Sequence, residues 1–163
     1  MKRFSYAAGL AAAVLTVLGL AGPAAAGDQV PFKGTVEGRV TRTLLDPPFV
    51  FDRFDSTGNA TQLGEFDLVV GVIVNLSTRT AIGTYEFIAA NGDTLTAQGT
   101  GQGMPTATPG VVLLTGTAII TGGTGRFEGA SGGFTVKQLL DSGTLTTIGV
   151  FDGTVSAPGA SNP

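Results

Sequence analysis

From residue 30 onward the chain alternates apolar and polar residues, and Gly, Pro, Asn or Asp breaks the run about every ten residues. No heptad and no 3.6-residue period competes with it. Short strands joined by tight turns are the reading, hence an all-β sandwich or barrel. The first run, 32–43, shows the pattern clearly. Phe32, Val36 and Val40 fall on one face with Gly34 and Gly38, and Lys33, Thr35, Glu37, Arg39 and Thr41 on the other. Further strands are predicted over 49–55, 64–76, 81–90, 93–103, 111–121, 133–139 and 143–155. Between them lie a turn at Asp46-Pro47-Pro48, a loop at 56–59, and tight turns at Ser77-Thr78 and Asp141-Ser142. A loop containing two prolines spans 104–110. Asn91-Gly92 is a hairpin signal of type I′, which needs positive φ at both central positions.

Eight strands in up-and-down order leave two open edges unless the sheet closes, and closure removes both. The expected fold is all-β, an eight-stranded antiparallel up-and-down β-barrel, with a sandwich as the alternative. At eight strands the interior is either just filled by side chains or holds one small ligand. Glycines inside strands (Gly34, Gly71, Gly99, Gly101 and Gly116 among them) suit a tightly curved wall.

The stretch 121–134, TGGTGRFEGASGGF, is dense in glycine. It misses both nucleotide-binding patterns. No G-x-x-x-x-G-K-[ST] is present, and Glu128 stands where the dinucleotide fingerprint needs its last glycine. No helical pattern follows to offer an N-terminus to an anion. A structural corner fits better. Gly122, Gly123 and Gly125 permit positive φ. Phe127 is then free to plug a barrel end, and Arg126 can reach carbonyls or a carboxylate across it.

Gly122-Gly123-Thr124-Gly125-Arg126-Phe127, with Gly129-Ala130 and Gly132 after it, closely resembles the hallmark of the allene oxide cyclase-like and dirigent-like barrels. Residues 60–66 (ATQLGEF) and 90–96 (ANGDTLT) are similar to segments of small exported bacterial members of that superfamily. Those members usually carry a His where this chain has Gln62. The resemblance implies an eight-stranded barrel with an apolar lumen, often assembled as a homotrimer. It also implies work done by pocket shape. Plant members cyclise an unstable fatty-acid epoxide or steer phenoxy-radical coupling.

The N-terminus reads as an export signal. Lys2 and Arg3 precede an uncharged apolar run from Ala7 to Ala21, and Pro23 and Ala24-Ala25-Ala26 supply a cleavage site. The expected organisation is a signal peptide over 1–26, a single barrel domain over 27–155 and a flexible C-terminal tail over 156–163. The mature protein is then secreted or periplasmic, with no membrane span left. Of nine Lys and Arg, two lie in the signal, so seven remain against 12 acidic residues, a net charge of −5. The basic residues are scattered, which argues against nucleic acid as a partner. The chain has no Cys and no His. That excludes His- or Cys-ligated zinc and Ser-His-Asp or Cys-His catalysis, and leaves acid–base work to Asp, Glu, Lys, Tyr or water. No cofactor motif occurs. Asp52, Asp55 and Asn59 miss calcium-loop spacing, so no metal is expected.

Phe49-Val50-Phe51-Asp52-Arg53-Phe54-Asp55 is the densest aromatic and charged cluster. One reading puts Phe49, Phe51 and Arg53 at a barrel mouth, with Arg53 holding an anionic head. The other makes the rings core and pairs the charges at the rim. Phe66, Tyr85 and Phe87 complete the candidate ligand-binding set. Glu65, Glu86 and Tyr85 are the candidates for acid chemistry, since a carboxylate inside an apolar barrel gains a raised pKa. The functions expected are binding of a small apolar molecule in the lumen, an isomerase or cyclase acting on an apolar (oxylipin- or polyketide-like) substrate, and a structural envelope protein with a packed lumen.

Overall fold

The computed structural model describes residues 28–156. The expected signal peptide and all of the expected tail except Ser156 lie outside them. Eight strands run in chain order: β1 (Val30–Leu44), β2 (Phe49–Ala60), β3 (Gly64–Asn75), β4 (Thr80–Ala89), β5 (Thr94–Pro105), β6 (Val111–Gly123), β7 (Ser131–Asp141) and β8 (Thr146–Ser156). Every neighbour is antiparallel, and β8 pairs back onto β1 (Val36↔Gly149), which closes the barrel. No open edge remains among these strands, as an up-and-down meander requires.

The sequence reading and the structure differ at several joints, each for a local reason. Residues 56–59 are strand, not loop. Ser56 pairs with Leu68 and Gly38, and Gly58 is glycine because a Cβ there would strike the Thr35 carbonyl and the Phe66 ring. The Asn91-Gly92 turn is not type I′. Only Gly92 has positive φ (88°). Gly92 N–H donates to Ala89 O (2.8 Å), and Ala89 N–H donates to Asp93 O (2.9 Å). This is the three-residue hairpin, a type I turn followed by a left-handed glycine. Met104 and Pro105 extend β5. The β7–β8 turn reaches Leu145, so β8 starts at Thr146, not at 143. In that turn the Asp141 carboxylate accepts from the N–H groups of Thr144 and Gly143, which hold its pKa below the ordinary value. Ser156, assigned to the tail by sequence, is buried in β8 and bonds Ser131 Oγ at 2.6 Å.

The glycine-rich stretch ends β6 and forms a single 3-10 turn over Gly125–Phe127. Gly122 (φ 142°) and Gly125 (φ 58°) take conformations that L side chains avoid. Gly123 does not. A Cβ there would strike the Thr94 carbonyl and lie 2.8 Å from Phe127 Cβ. Gly123→Val is therefore expected to cost roughly 2 kcal/mol through steric overlap, not through φ. An unchanged melting temperature would contradict that packing.

Phe127 is fully buried at this end of the barrel. Arg126 donates to Leu63 O (3.3 Å) and pairs with Asp93 (3.7 Å) across it. Behind Phe127, the rings of Phe32, Phe66, Phe87, Phe134 and Phe151 pack edge-on and tilted, with centroids 4.8–6.0 Å apart. They close one half of the barrel. Both ends of the described chain sit at this plugged end, where β1 starts and β8 stops.

Candidate functional site

The other half of the lumen is not filled. Along β5 the inward-facing residues are Leu95, Ala97, Gly99, Gly101 and Gly103, so the side chains shrink to nothing from the plugged end outward. Gly116 does the same on β6. The space they leave is a cavity of about 320 Å³, within the usual range for small-molecule pockets. Its wall is mainly aliphatic, with Val70, Val72, Leu114, Val136 and Leu140 prominent. It opens between the β1–β2, β3–β4, β5–β6 and β7–β8 turns, away from Phe127.

Few polar groups face this space. Asp52 on β2 is almost wholly buried, and Arg42 on β1 pairs with it across the register Arg42↔Asp52. Arg42 donates through Nε to Oδ1 (2.7 Å) and through Nη2 to Oδ2 (2.6 Å), a bidentate fork. These hydrogen bonds raise the Arg42 pKa above its ordinary value. Tyr85, on β4, stands edge-on to Phe134 at 5.5 Å and forms the floor where the cavity meets the ring cluster. Burial disfavours its phenolate and pushes its hydroxyl above the usual value. Gln138 on β7 contributes a side-chain amide. Arg79 stands at the rim, in the β3–β4 turn. Asn75 Oδ1 shapes that turn by accepting from Ser77 N–H (2.9 Å) and Thr78 N–H (3.2 Å), and Arg79 follows in a left-handed conformation (φ 58°).

The residues singled out by sequence divide sharply. Tyr85 lines the cavity. Phe66 and Phe87 belong to the packed ring cluster and do not reach it. Phe49, Phe51 and Arg53 lie on the outer face, against the mouth reading and against a core place for these two rings, while the charge pairing of the second reading does form. Arg53 is engaged by Asp55 at 2.8 Å, and the two rings are partly exposed, Phe51 over Gly71. The cause is parity. β2 buries Val50, Phe54 and Ser56, so Asp52 goes inward with them and the odd-numbered residues go out. The same parity separates Asp52 from Asp55 and Asn59. Glu65 and Glu86 are also on the outer face, in solvent, which removes them as acids inside the lumen. Sequence reasoning missed Arg42, Asp52 and Gln138. Their available signal was a lone polar residue in register with an apolar stripe. It also took Gly99, Gly101 and Gly116 as curvature alone.

Solved structures share this architecture. The pterocarpan synthase dirigent protein PsPTS1 superposes with a TM-score of 0.57, covering 80% of this chain and 96% of its own, at 14% identity. The pterocarpan synthase dirigent protein GePTS1 gives 0.56, covering 93% and 99%, at 17% identity. The fold is a dirigent-type barrel. At these identities the likeness concerns the fold, not the chemistry. Within the dirigent-type barrel, Phe127 and the ring cluster make the closed end, and the glycine wall of β5 and β6 makes the open one. No family model matches the sequence, and no curated protein does.

Proposed function

We propose that this is an exported barrel whose open half-lumen binds one small apolar molecule and orients it, as a dirigent-like scaffold without chemistry of its own. The cavity built by the inward glycines of β5 and β6 carries this reading. A wall meant only for packing would fill that space, since interiors are close-packed and voids of this size are rare. Tyr85 and Gln138 would hold a polar substituent, while the aliphatic wall supplies most of the affinity. A binding role is favoured over catalysis by the state of the polar groups. Asp52, the one carboxylate among the described lining residues, is locked in a two-point ion pair, and the Tyr85 hydroxyl is held further from ionisation. A packed structural protein is the reading the cavity argues against.

Gly103→Phe tests this. A Cβ at Gly103 would meet only the ends of Val112 and Leu114 (3.2 and 3.5 Å), so the new ring can enter the cavity without moving the backbone. Titration with a neutral fluorescent probe such as naphthalene should show one saturable site in the natural protein. Gly103→Phe should weaken it at least about tenfold with the fold intact by circular dichroism. Equal binding by the two proteins would place the probe elsewhere and remove the lumen as the site.

A further inference from the structure

We infer that the molecule taken by the lumen is a small monocarboxylic acid, its apolar body among the β5–β6 glycines and its carboxylate at Arg79. This rests on the lumen reading above and adds the ligand's charge and size. Three charged residues line the cavity: Arg42, Asp52 and Arg79. Arg42 and Asp52 cancel each other through their bidentate bonds. Four ion pairs form among the described residues, and Arg79 is in none of them. The cavity therefore has an apolar body and one uncompensated positive charge at its rim. Asp46 and Asp141, the other acids near this end, are not part of the lining, and Asp141 is held by its own turn. The β3–β4 turn fixes where the Arg79 backbone sits. Its carbonyl accepts from Gly103 N–H (2.9 Å), which ties it to the glycine wall.

A guanidinium at the rim of a low-dielectric space suits a carboxylate, which it can bind with two parallel N–H donors. An acid fits better than a phosphate monoester, because one cation neutralises one charge and not two. Size follows from volume. At roughly 30 Å³ per water-sized group, about 320 Å³ holds on the order of ten such groups. A ring with a short acidic chain fits, and a long-chain fatty acid would have to leave most of its tail outside.

A matched pair of probes tests the charge. 4-Phenylbutyrate and its neutral amide have the same shape and size. Calorimetric titration at low salt should show the acid binding the natural protein about tenfold more tightly than the amide. Arg79→Gln should bring the two probes level without changing the amide's affinity, and added salt should shrink the difference in the natural protein. Arg79 lies in an exposed turn, so the variant is expected to fold, and circular dichroism checks it. Equal affinities in the natural protein, an acid preference that survives Arg79→Gln, or tighter binding of the amide would each overturn the assignment while leaving the lumen reading intact. No binding of either probe would overturn both.

Discussion

Phe87→Ala is expected to lower the free energy of unfolding by about 4 kcal/mol. Phe87 is fully buried and touches four other rings, those of Phe32, Phe66, Phe134 and Phe151, with centroids 5.4–5.7 Å away. The closed barrel cannot collapse onto the space a deleted ring leaves, because each strand is pinned on both sides by ladder bonds. The transfer and cavity terms should therefore add nearly in full. Phe51→Ala is the control. Phe51 is 37% exposed on the outer face, and its loss should cost well under half as much. Urea unfolding of the two variants compares the two faces of the wall directly. Similar costs would mean that the parity of β2 is wrong.

Arg42→Met should cost about 3 kcal/mol, the second largest effect expected. It leaves Asp52, whose side chain is 3% exposed, without its counter-charge. The reverse change, Asp52→Leu, should be milder, since Arg42 is partly solvated and can turn outward. The double variant should recover most of the loss, because an apolar pair of similar volume replaces the ion pair at little cost. Denaturant melts of the two singles and the double form the required cycle. A single-variant cost below 1 kcal/mol, the level typical of an exposed pair such as Arg53–Asp55, would show that Asp52 is solvated and the pair incidental.

The fold was legible because alternation and turn residues agree along nearly the whole chain. Phe32, Val36 and Val40 fall on the buried face as their spacing demands. Gly122–Phe127 marks the corner that carries the plug. The site was less legible because its strands are ambiguous in phase. In β2, Phe49 and Phe51 speak for one face and Val50 and Phe54 for the other, and only pairing with β1 and β3 settles which goes inward. Aromatic density pointed the wrong way. Asp52 and Arg42 lie ten residues apart across the β1–β2 turn, in no pattern a local scan can score, and they meet only through register. The cavity itself is an absence of side chains. Glycines that curve a strand and glycines that empty a lumen look the same in sequence, and Gly99, Gly101 and Gly103 are of the second kind.

The role proposed for the half-lumen is to bind a small molecule. The sharpest test is native mass spectrometry of the protein purified from its own host. One extra mass per chain is expected, lost on denaturation and absent from Gly103→Phe purified in the same way. A natural protein that travels with no added mass, and that takes up none of the small apolar probes named above, would contradict it.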